Sequence, residues 1–483
     1  MQKNKIIYFI FVIIFSVNGA FAKGVPFGND AVNDIKKYLF ANIASESHSM
    51  QKNDNGRIIY SLPGAVIASP SRYGTGFSQD YQFHWTRDAA LTMQEVVYLY
   101  IHADANEKKN LKNYLMNYIN FEAKAQQQIS RVGEKTLGQP KFNIDGSIWE
   151  GEWARPQNDG PALRAQTMIE IANVFLQEGE EKYVLEKMLS IIITDLDYVA
   201  EEWKNTNYDL WEEVNDQDHF FTKMVQRKAL IIGTTLLQKL GDNRRAHFYL
   251  SNATQLTTSM QTHWNVSRGY LSETINQQFY KGGGLDSSIL LGVLYGNLND
   301  PSDPFAITNE QVMSSIFYLR NAFSGLYRIN IINHHLPLIG RYASDIYDGN
   351  QFSYGNPWIL ITNALAEYYY ECAKSFLIQK EINITSNNIL FFQQISPDLV
   401  QKEEVVRLSN NPEKFHAIRQ AFIQEGDHFL EAVKQYATCY DVGNCNHFSE
   451  QIDRASGQQV SAKDLTWGYA TLLAAVQARS DVN

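Results

Sequence analysis

The segment Tyr208–Phe221 combines carboxylates with aromatic side chains in a way that suits acid–base chemistry. Its acidic members are Asp209, Glu212, Glu213, Asp216 and Asp218, and Trp211 directly precedes the glutamate pair. Aromatic surface desolvates a carboxyl group and raises its pKa, so that the group can hold a proton near neutral pH. Aromatic faces also stack on the apolar faces of sugar rings. The segment therefore favours a general acid for glycoside hydrolysis; the alternative is negative charge at a helix start.

Hydrolysis of a glycosidic bond requires a second carboxyl group. Glu450 stands in the sequence HFSEQID, after a polar loop and outside any helical pattern. Asp464 stands where a helical pattern begins, so the helix dipole explains its charge. Asp453 is interpreted as similar surface charge. Glu450 is the preferred candidate, and spacing alone leaves the two aspartates as rivals.

Composition argues against several other kinds of chemistry. The polar, aromatic loops contain Trp, Tyr, Arg, Asp, Glu and Asn but no cluster of His and Cys. We therefore expect no metal site and no cofactor. No Gly-x-Ser-x-Gly sequence indicates a serine nucleophile. A net charge of −10 without a basic block argues against a nucleic-acid partner.

The N-terminus has the pattern of a secretory signal peptide. Lys3 and Lys5 precede an apolar run from Ile6 to Val17, and the small-residue site Ala20-Phe21-Ala22 follows. We expect cleavage after Ala22 and export of residues 23–483 to the periplasm or outside the cell. The apolar run is short for a membrane anchor, which is the alternative.

Three cysteines occur, at positions 372, 439 and 445. Cys439 and Cys445 are close enough in sequence to form a small disulfide loop in an oxidising compartment, which would leave Cys372 free. The sequence does not fix this pairing.

Apolar residues recur at helical spacing over most of the chain. The predicted helices are 31–44, 89–100, 107–128, 162–176, 182–203, 221–240, 244–264, 285–295, 310–323, 356–375, 412–437 and 461–479. Long polar, aromatic loops separate some of them, at 138–161, 277–286 and 334–357, and residues 386–411 are interpreted as a surface strap. Short links alternate with long loops. This alternation predicts an all-α fold in which about twelve helices form two concentric rings, with the long loops at one mouth.

Five motifs from about Gly64 to Ala470 carry a resemblance to a known family. They are GAVIASPS with YQFHWTRDAAL, EWARPQNDGPALRA, YDLWEEVND, GRYASDIYDG with YGNPW, and SEQIDRASGQQVSAKDLTWGYA. In this order they resemble the glucoamylases, the inverting enzymes of glycoside hydrolase family 15. The resemblance implies an (α/α)6 barrel. It also implies an enzyme that releases β-D-glucose from the non-reducing ends of starch, glycogen and maltooligosaccharides, cleaving α-1,4 bonds and, more slowly, α-1,6 bonds.

The resemblance also assigns roles to individual residues. It implies that Glu212 is the general acid and Glu450 the general base. The residues matching the family's substrate contacts are Tyr81, Trp85, Arg87, Asp88, Trp153, Asp209, Leu210 through its carbonyl, Trp211, Glu213, Arg341, Tyr347 and Trp358. The chain departs from the family pattern at His84, at Ala154 in place of glycine, and in the extra residues Asp348–Tyr354.

Residues 23–483 are expected to form one catalytic domain without a separate starch-binding domain, and the protein is expected to be a monomer without a membrane partner. Another specificity of the same family, glucodextranase or trehalase, is the alternative activity. A non-catalytic glucan-binding homologue is less favoured because both carboxyl groups are present, and a helical scaffold without a site leaves the motif order unexplained.

Overall fold

The computed structural model describes residues 25–54, 56–72, 79–128, 136–276, 281, 283–332 and 337–482. The proposed signal peptide, residues 1–22, lies outside this range. Among the described residues, every helix is either too short or too polar to cross a bilayer.

Helices make up most of the described chain. They are α1 Asn29–Ala41, α2 Thr86–His102, α3 Ala105–Gln126, α4 Asp159–Gln177, α5 Glu181–Tyr183, α6 Leu189–Glu202, α7 Phe220–Lys239, α8 Asn243–Met260, α9 Ser288–Tyr295, α10 Glu310–Ser324, α11 Arg328–Ile332, α12 Ile359–Gln379, α13 Ile389–Ile395, α14 Pro412–Lys434 and α15 Thr466–Asp481.

Six of these helices close into an inner ring. Each packs against the next, and the last packs against the first, in the order α2, α4, α7, α9, α12, α15. An outer ring surrounds them, in which each helix packs on at least one inner helix; its members are α1, α3, α6, α8, α10 and α14. The prediction of an all-α double ring is confirmed.

The burial pattern explains which helices lie inside. Inner helices such as α12 are buried on nearly every side, from Ile359 to Phe376, whereas the outer helix α14 alternates buried and exposed residues. A helix that is apolar all round is stable only inside a protein, while an amphipathic helix covers a surface. Helices that are buried nearly all round therefore form the inner ring, and amphipathic helices form the outer ring.

Short antiparallel strand pairs, which the sequence did not predict in detail, shape the loops. They are β1 Gln51–Asp54 with β2 Arg57–Tyr60, β3 His84–Trp85 with β4 Lys141–Phe142, β5 Asn207–Tyr208 with β6 Asn215–Asp216, β7 Trp264–Asn265 with β8 Tyr270–Leu271, β9 Glu381–Ile384 with β10 Glu404–Arg407, and β11 Gln451–Ile452 with β12 Gln459–Val460. Most span two residues, too few to show the alternation that identifies a strand in sequence.

Two predicted segments differ in detail. The expected single helix 182–203 contains a π-turn, Val184–Met188, between α5 and α6. The expected strap 386–411 contains the helix α13 and the strand β10, and α13 packs against α10 and α14. The structure also contains a Cys439–Cys445 disulfide and a buried, free Cys372.

A buried ionic network joins helices of both rings. Arg164 on α4 donates two hydrogen bonds to Asp195 on α6, at 2.6 and 2.8 Å, and one of 3.1 Å to Glu122 on α3. Glu122 also lies 2.9 Å from His84 Nε2. Because Val66 N–H donates to His84 Nδ1, the ring proton is on Nε2 and points to Glu122. His84, a departure from the family pattern, therefore connects the loop before α2 to this network.

We predict that Arg164→Met lowers the free energy of unfolding by about 3–5 kcal/mol, because it leaves two buried carboxylates without their cation. Urea unfolding measures this value. The matched control is Arg245→Met, which removes exposed pairs with Asp242 and Asp197 and should leave the free energy of unfolding nearly unchanged. Equal losses in the two variants would contradict the structural role of the network.

Candidate active site

The loops that precede the inner-ring helices meet around one pocket of about 340 Å³. Its lining residues come from the loops or first turns before α2, α4, α7, α12 and α15: Ala68, Gln79, Tyr81, Trp85, Arg87, Asp88, Trp153, Ala154, Leu210, Trp211, Glu212, Glu213, Arg341, Tyr347, Phe352, Trp358, Leu360, Glu450, Leu465 and Trp467. Because these helices direct their N-termini to one mouth, their dipoles favour negative charge there. Within the described chain, no group of three or more His, Cys, Asp or Glu side chains is placed to hold a metal ion.

The pocket brings together nearly all residues that the sequence singled out. Glu212, in the β5–β6 hairpin, and Glu450, directly before β11, line the same cavity although they are far apart in sequence. Every expected substrate contact lines it as well, except Asp209, which is buried beneath it.

Three side chains donate hydrogen bonds to the Glu212 carboxylate. Oε1 accepts from Trp85 Nε1 and from the Arg87 guanidinium, both at 3.1 Å. Oε2 accepts from Trp153 Nε1 at 2.7 Å. Donors from the loops before α2 and α4 thus fix a carboxyl group that the loop before α7 supplies.

Glu212 adopts an unusual backbone conformation. Its φ is +65°, in the left-handed region that is unfavourable for residues with a side chain and that recurs at functional sites. Asp209 holds this turn: its carboxylate accepts from the backbone N–H groups of Trp211, Glu213 and Val214 at 3.2, 2.8 and 2.7 Å. Asp209 therefore positions Glu212 from below.

Lys281 is the counter-charge for this buried aspartate. Its ammonium group donates to Asp209, and both side chains are almost fully buried. Burial alone would raise the pKa of Asp209, but Lys281, His219 and the backbone donors hold it below its usual range. Asp286, near Lys281, accepts from Trp211 Nε1 at 2.8 Å and so orients a pocket-lining indole. No sequence motif indicates either residue, since a single lysine beside three glycines, Lys281 before Gly282–Gly284, is the only signal in the chain.

Glu450 is buried and has a different set of partners. Burial raises its pKa to about 7, while hydrogen bonds from Ser461, Tyr81 and Gln451 and the charge of Arg341 act in the opposite direction. Ser461 Oγ donates to Oε2, and Gln451 Nε2 lies 3.2 Å from the same oxygen. The backbone of Glu450 is fixed on both sides, since its N–H donates to Ala462 O and its carbonyl accepts from Ile359 N–H.

Arg87 and Asp88 lie side by side at the start of α2. The Arg87 guanidinium donates to Gln157 at 3.0 Å and to Asp159 at 2.9 Å, and it lies 3.6 Å from Asp88. Burial raises the pKa of Asp88 to about 6, although the charge of Arg87 lowers it. A polar pair this fixed can recognise sugar hydroxyls by oriented hydrogen bonds.

Arg341 lies on the part of the pocket wall formed by the loop before α12. It donates twice to Asp345, at 2.6 and 2.8 Å, and lies 2.8 Å from Glu213. Tyr342 Oη donates to Glu213 at 2.7 Å. These contacts hold Glu213 beside the pocket.

Aromatic rings cover the remaining wall. The hydroxyls of Tyr81 and Tyr347 lie 3.1 Å apart, and Gln79 donates to Tyr347 at 3.0 Å. The Trp211 and Trp358 rings pack with centroids 5.5 Å apart. The result is an aromatic surface on which a sugar ring can stack.

A buried lysine that no sequence motif indicates lies behind the Glu212 donors. Lys141 Nζ lies 3.9–4.6 Å from the centroids of four rings, those of Phe83, Trp85, Trp149 and Trp153. Burial lowers its pKa to about 7. Cation–π attraction to indole faces fixes ring orientation, so Lys141 orients the two tryptophans that bind Glu212.

Comparison with known proteins gives a consistent result. The model of the family "Glycosyl hydrolases family 15" matches residues 47–477. Glucoamylase 1 of Rhizopus oryzae is 35% identical over 431 residues, which cover 87% of this chain and 67% of the relative. A glucoamylase of Blastobotrys adeninivorans is 33% identical over 477 residues, covering 94% and 71%.

A solved structure agrees with these relatives. The glucoamylase of Saccharomycopsis fibuligera superposes with a TM-score of 0.83 and 30% sequence identity, over 96% of this chain and 98% of that chain. The family model spans most of the chain, and the matched region contains both carboxyl groups of the pocket. The chain therefore belongs to the glycosyl hydrolases of family 15.

Proposed function

We propose that the protein is an exo-acting, inverting glucoamylase that hydrolyses terminal α-1,4 bonds, and α-1,6 bonds more slowly, in starch, glycogen and maltooligosaccharides to release β-D-glucose. The main support is that Glu212 and Glu450, held by different sets of donors, line one pocket. Its volume of about 340 Å³ is at the small end for ligand sites, which suits the end of a chain. Relatives that are themselves named glucoamylases add support.

In this proposal Glu212 is the general acid. A carboxylate oxygen can accept about two hydrogen bonds, and Oε1 already accepts two, from Trp85 and Arg87. Oε2 accepts only that of Trp153 among the described residues. Oε2 is therefore the oxygen that carries the proton and delivers it to the glycosidic oxygen as the bond to C1 breaks.

Glu450 is the proposed general base. It removes a proton from a water molecule, and the resulting hydroxide attacks C1 from the face opposite the leaving group, which inverts the anomeric centre. The hydrogen bond from Ser461 stabilises the ionised carboxylate, which is the form that a base requires.

The remaining pocket residues are proposed to bind the sugar. Arg87, Asp88 and Arg341 supply oriented charges for hydroxyl groups. Trp358 is buried, and its Nε1 has no acceptor within the described chain, so this group is a donor for a substrate hydroxyl. Asp209, expected from the sequence to contact substrate, is instead proposed to position Glu212.

The cellular setting is part of the same proposal. Residues 1–22 direct export, and the catalytic domain 23–483 acts as a secreted monomer in the periplasm or outside the cell.

Glu212→Gln is predicted to lower kcat on maltose at least about 100-fold while KM changes little, because the amide keeps hydrogen-bonding capacity but cannot donate an acidic proton. The control is Glu201→Gln on the exposed face of α6, which should retain parental activity. A Glu212→Gln enzyme with near-parental kcat contradicts the assignment.

The base is tested by Glu450→Ala, for which we expect a comparable loss of kcat and partial recovery by azide, with a β-glucosyl azide as product. Loss without recovery in Glu212→Ala, assayed in parallel, distinguishes the two roles.

Side-by-side hydrolysis of maltotetraose, dextran and trehalose by the parent enzyme tests the substrate specificity. We expect maltotetraose to be hydrolysed fastest, and a preference for dextran or trehalose would contradict a glucoamylase.

Ser461→Ala is predicted to move the acid limb of the kcat/KM profile to higher pH by about one unit, because a hydrogen bond to a charged group is lost. The donated bond lowers the pKa of Glu450; without it the pKa rises, and the base becomes ionised only at higher pH. Ser324→Ala, far from the pocket on α10, is the control. An unchanged or downward-shifted limb would contradict the base role of Glu450.

A further inference from the structure

A hairpin at the edge of the pocket presents two aromatic side chains to solvent. It runs from Tyr347 to Gly355 and contains the extra residues noted in the sequence. Phe352 is 76% exposed and Tyr354 is 72% exposed. Neither ring belongs to the hydrophobic core, so packing does not account for them.

Hydrogen bonds within the hairpin fix its shape. The Asp348 carboxylate accepts from the backbone N–H groups of Asn350 and Gln351, at 2.9 and 2.6 Å, and from Ser353 Oγ at 2.6 Å. The backbone N–H of Asp348 donates to Gln351 O at 3.1 Å, and Tyr347 pairs with Phe352. The exposed rings are therefore carried on an ordered turn, which lowers the entropy cost of binding.

The hairpin packs against Ser461, which donates a hydrogen bond to Glu450. Gly349 has a φ of +91°, and a Cβ built there would lie 2.3 Å from Ser461 Cβ. Ser461 Oγ lies 3.3 Å from Gly349 O and donates to Glu450. This close approach, which only glycine allows, sets the hairpin against the wall that holds the proposed base.

The two exposed rings lead from the pocket to a neighbouring groove. Phe352 lines the pocket, and its ring centroid lies 6.3 Å from that of Tyr347. Tyr354 lines the groove, of about 960 Å³, and Arg454 lies 5.7 Å from its ring. Asp348 and Ser461 also line the groove, so the hairpin separates the two spaces.

We propose that this hairpin is a binding platform for the part of a long glucan chain that leaves the pocket, with Phe352 under the nearer sugar rings and Tyr354 under those farther along the groove. The inference rests on the proposed function and adds a chain-length preference to it. Aromatic faces stack on sugar rings without reading a particular linkage. A disaccharide bound in the pocket ends before it reaches Tyr354 in the groove, whereas a maltoheptaose is long enough to pass both rings.

The test compares maltose and maltoheptaose as substrates of Phe352→Ala, Tyr354→Ala and the double variant. We expect KM for maltoheptaose to rise about three- to tenfold in each single variant and further in the double variant. We expect kcat/KM for maltose to stay within about twofold of the parent value in Tyr354→Ala, because this ring lines the groove and not the pocket. Phe352→Tyr keeps a stacking face and should retain the parental KM. Phe248→Ala, an exposed aromatic on α8, is the control.

Two results would overturn the platform. In one, every variant hydrolyses maltoheptaose with the parental KM. In the other, Tyr354→Ala lowers kcat/KM equally for maltose and maltoheptaose, which would mean that the hairpin acts on the pocket itself. Failure of the proposed function is a separate result, because the parent enzyme would then hydrolyse neither substrate.

Discussion

The buried ion pair between Asp209 and Lys281 is the interaction on which the geometry of the pocket depends. The Asp209 carboxylate accepts hydrogen bonds from three backbone N–H groups of the loop that follows it. These bonds hold Glu212 in a left-handed conformation. A carboxylate buried this deeply is costly without a cation, and Lys281, from the loop before α9, supplies it. The loop before α9 thus stabilises the strained turn in the loop before α7. The closed ring of inner helices holds both loops at fixed positions.

The two carboxyl groups of the pocket are distinguished by their surroundings. Glu212 is oriented by two indoles and a guanidinium, and Lys141 in turn orients those indoles through their faces. Glu450 is held by Ser461 and Gln451, and burial raises its pKa to about 7. The two chemically identical groups thus have unlike environments, and Glu450, as the proposed base, is ionised only above about pH 7. The fold achieves this by supplying each carboxyl group, and each set of donors, from a different loop.

Much of this arrangement could be predicted from the sequence because its signals are local. Helical periodicity located most helices to within a few residues, and the motif around Glu212 indicated the pocket. The missing parts depend on contacts between distant segments: Lys141 and Lys281 are single cations without a pattern, and the role of Asp209 follows from its depth. The π-turn Val184–Met188 interrupts a segment whose apolar spacing continues as if it were one helix.

The most direct test of the central claim, that Glu212 and Glu450 act as acid and base on opposite faces of one sugar, is the configuration of the first product. Proton NMR of the anomeric region, recorded immediately after the parent enzyme is mixed with maltotriose, resolves it before mutarotation. If the two carboxyl groups act in this way, β-glucose appears first and the α-anomer grows in later. Initial release of α-glucose would mean retention through a covalent intermediate and would contradict this claim.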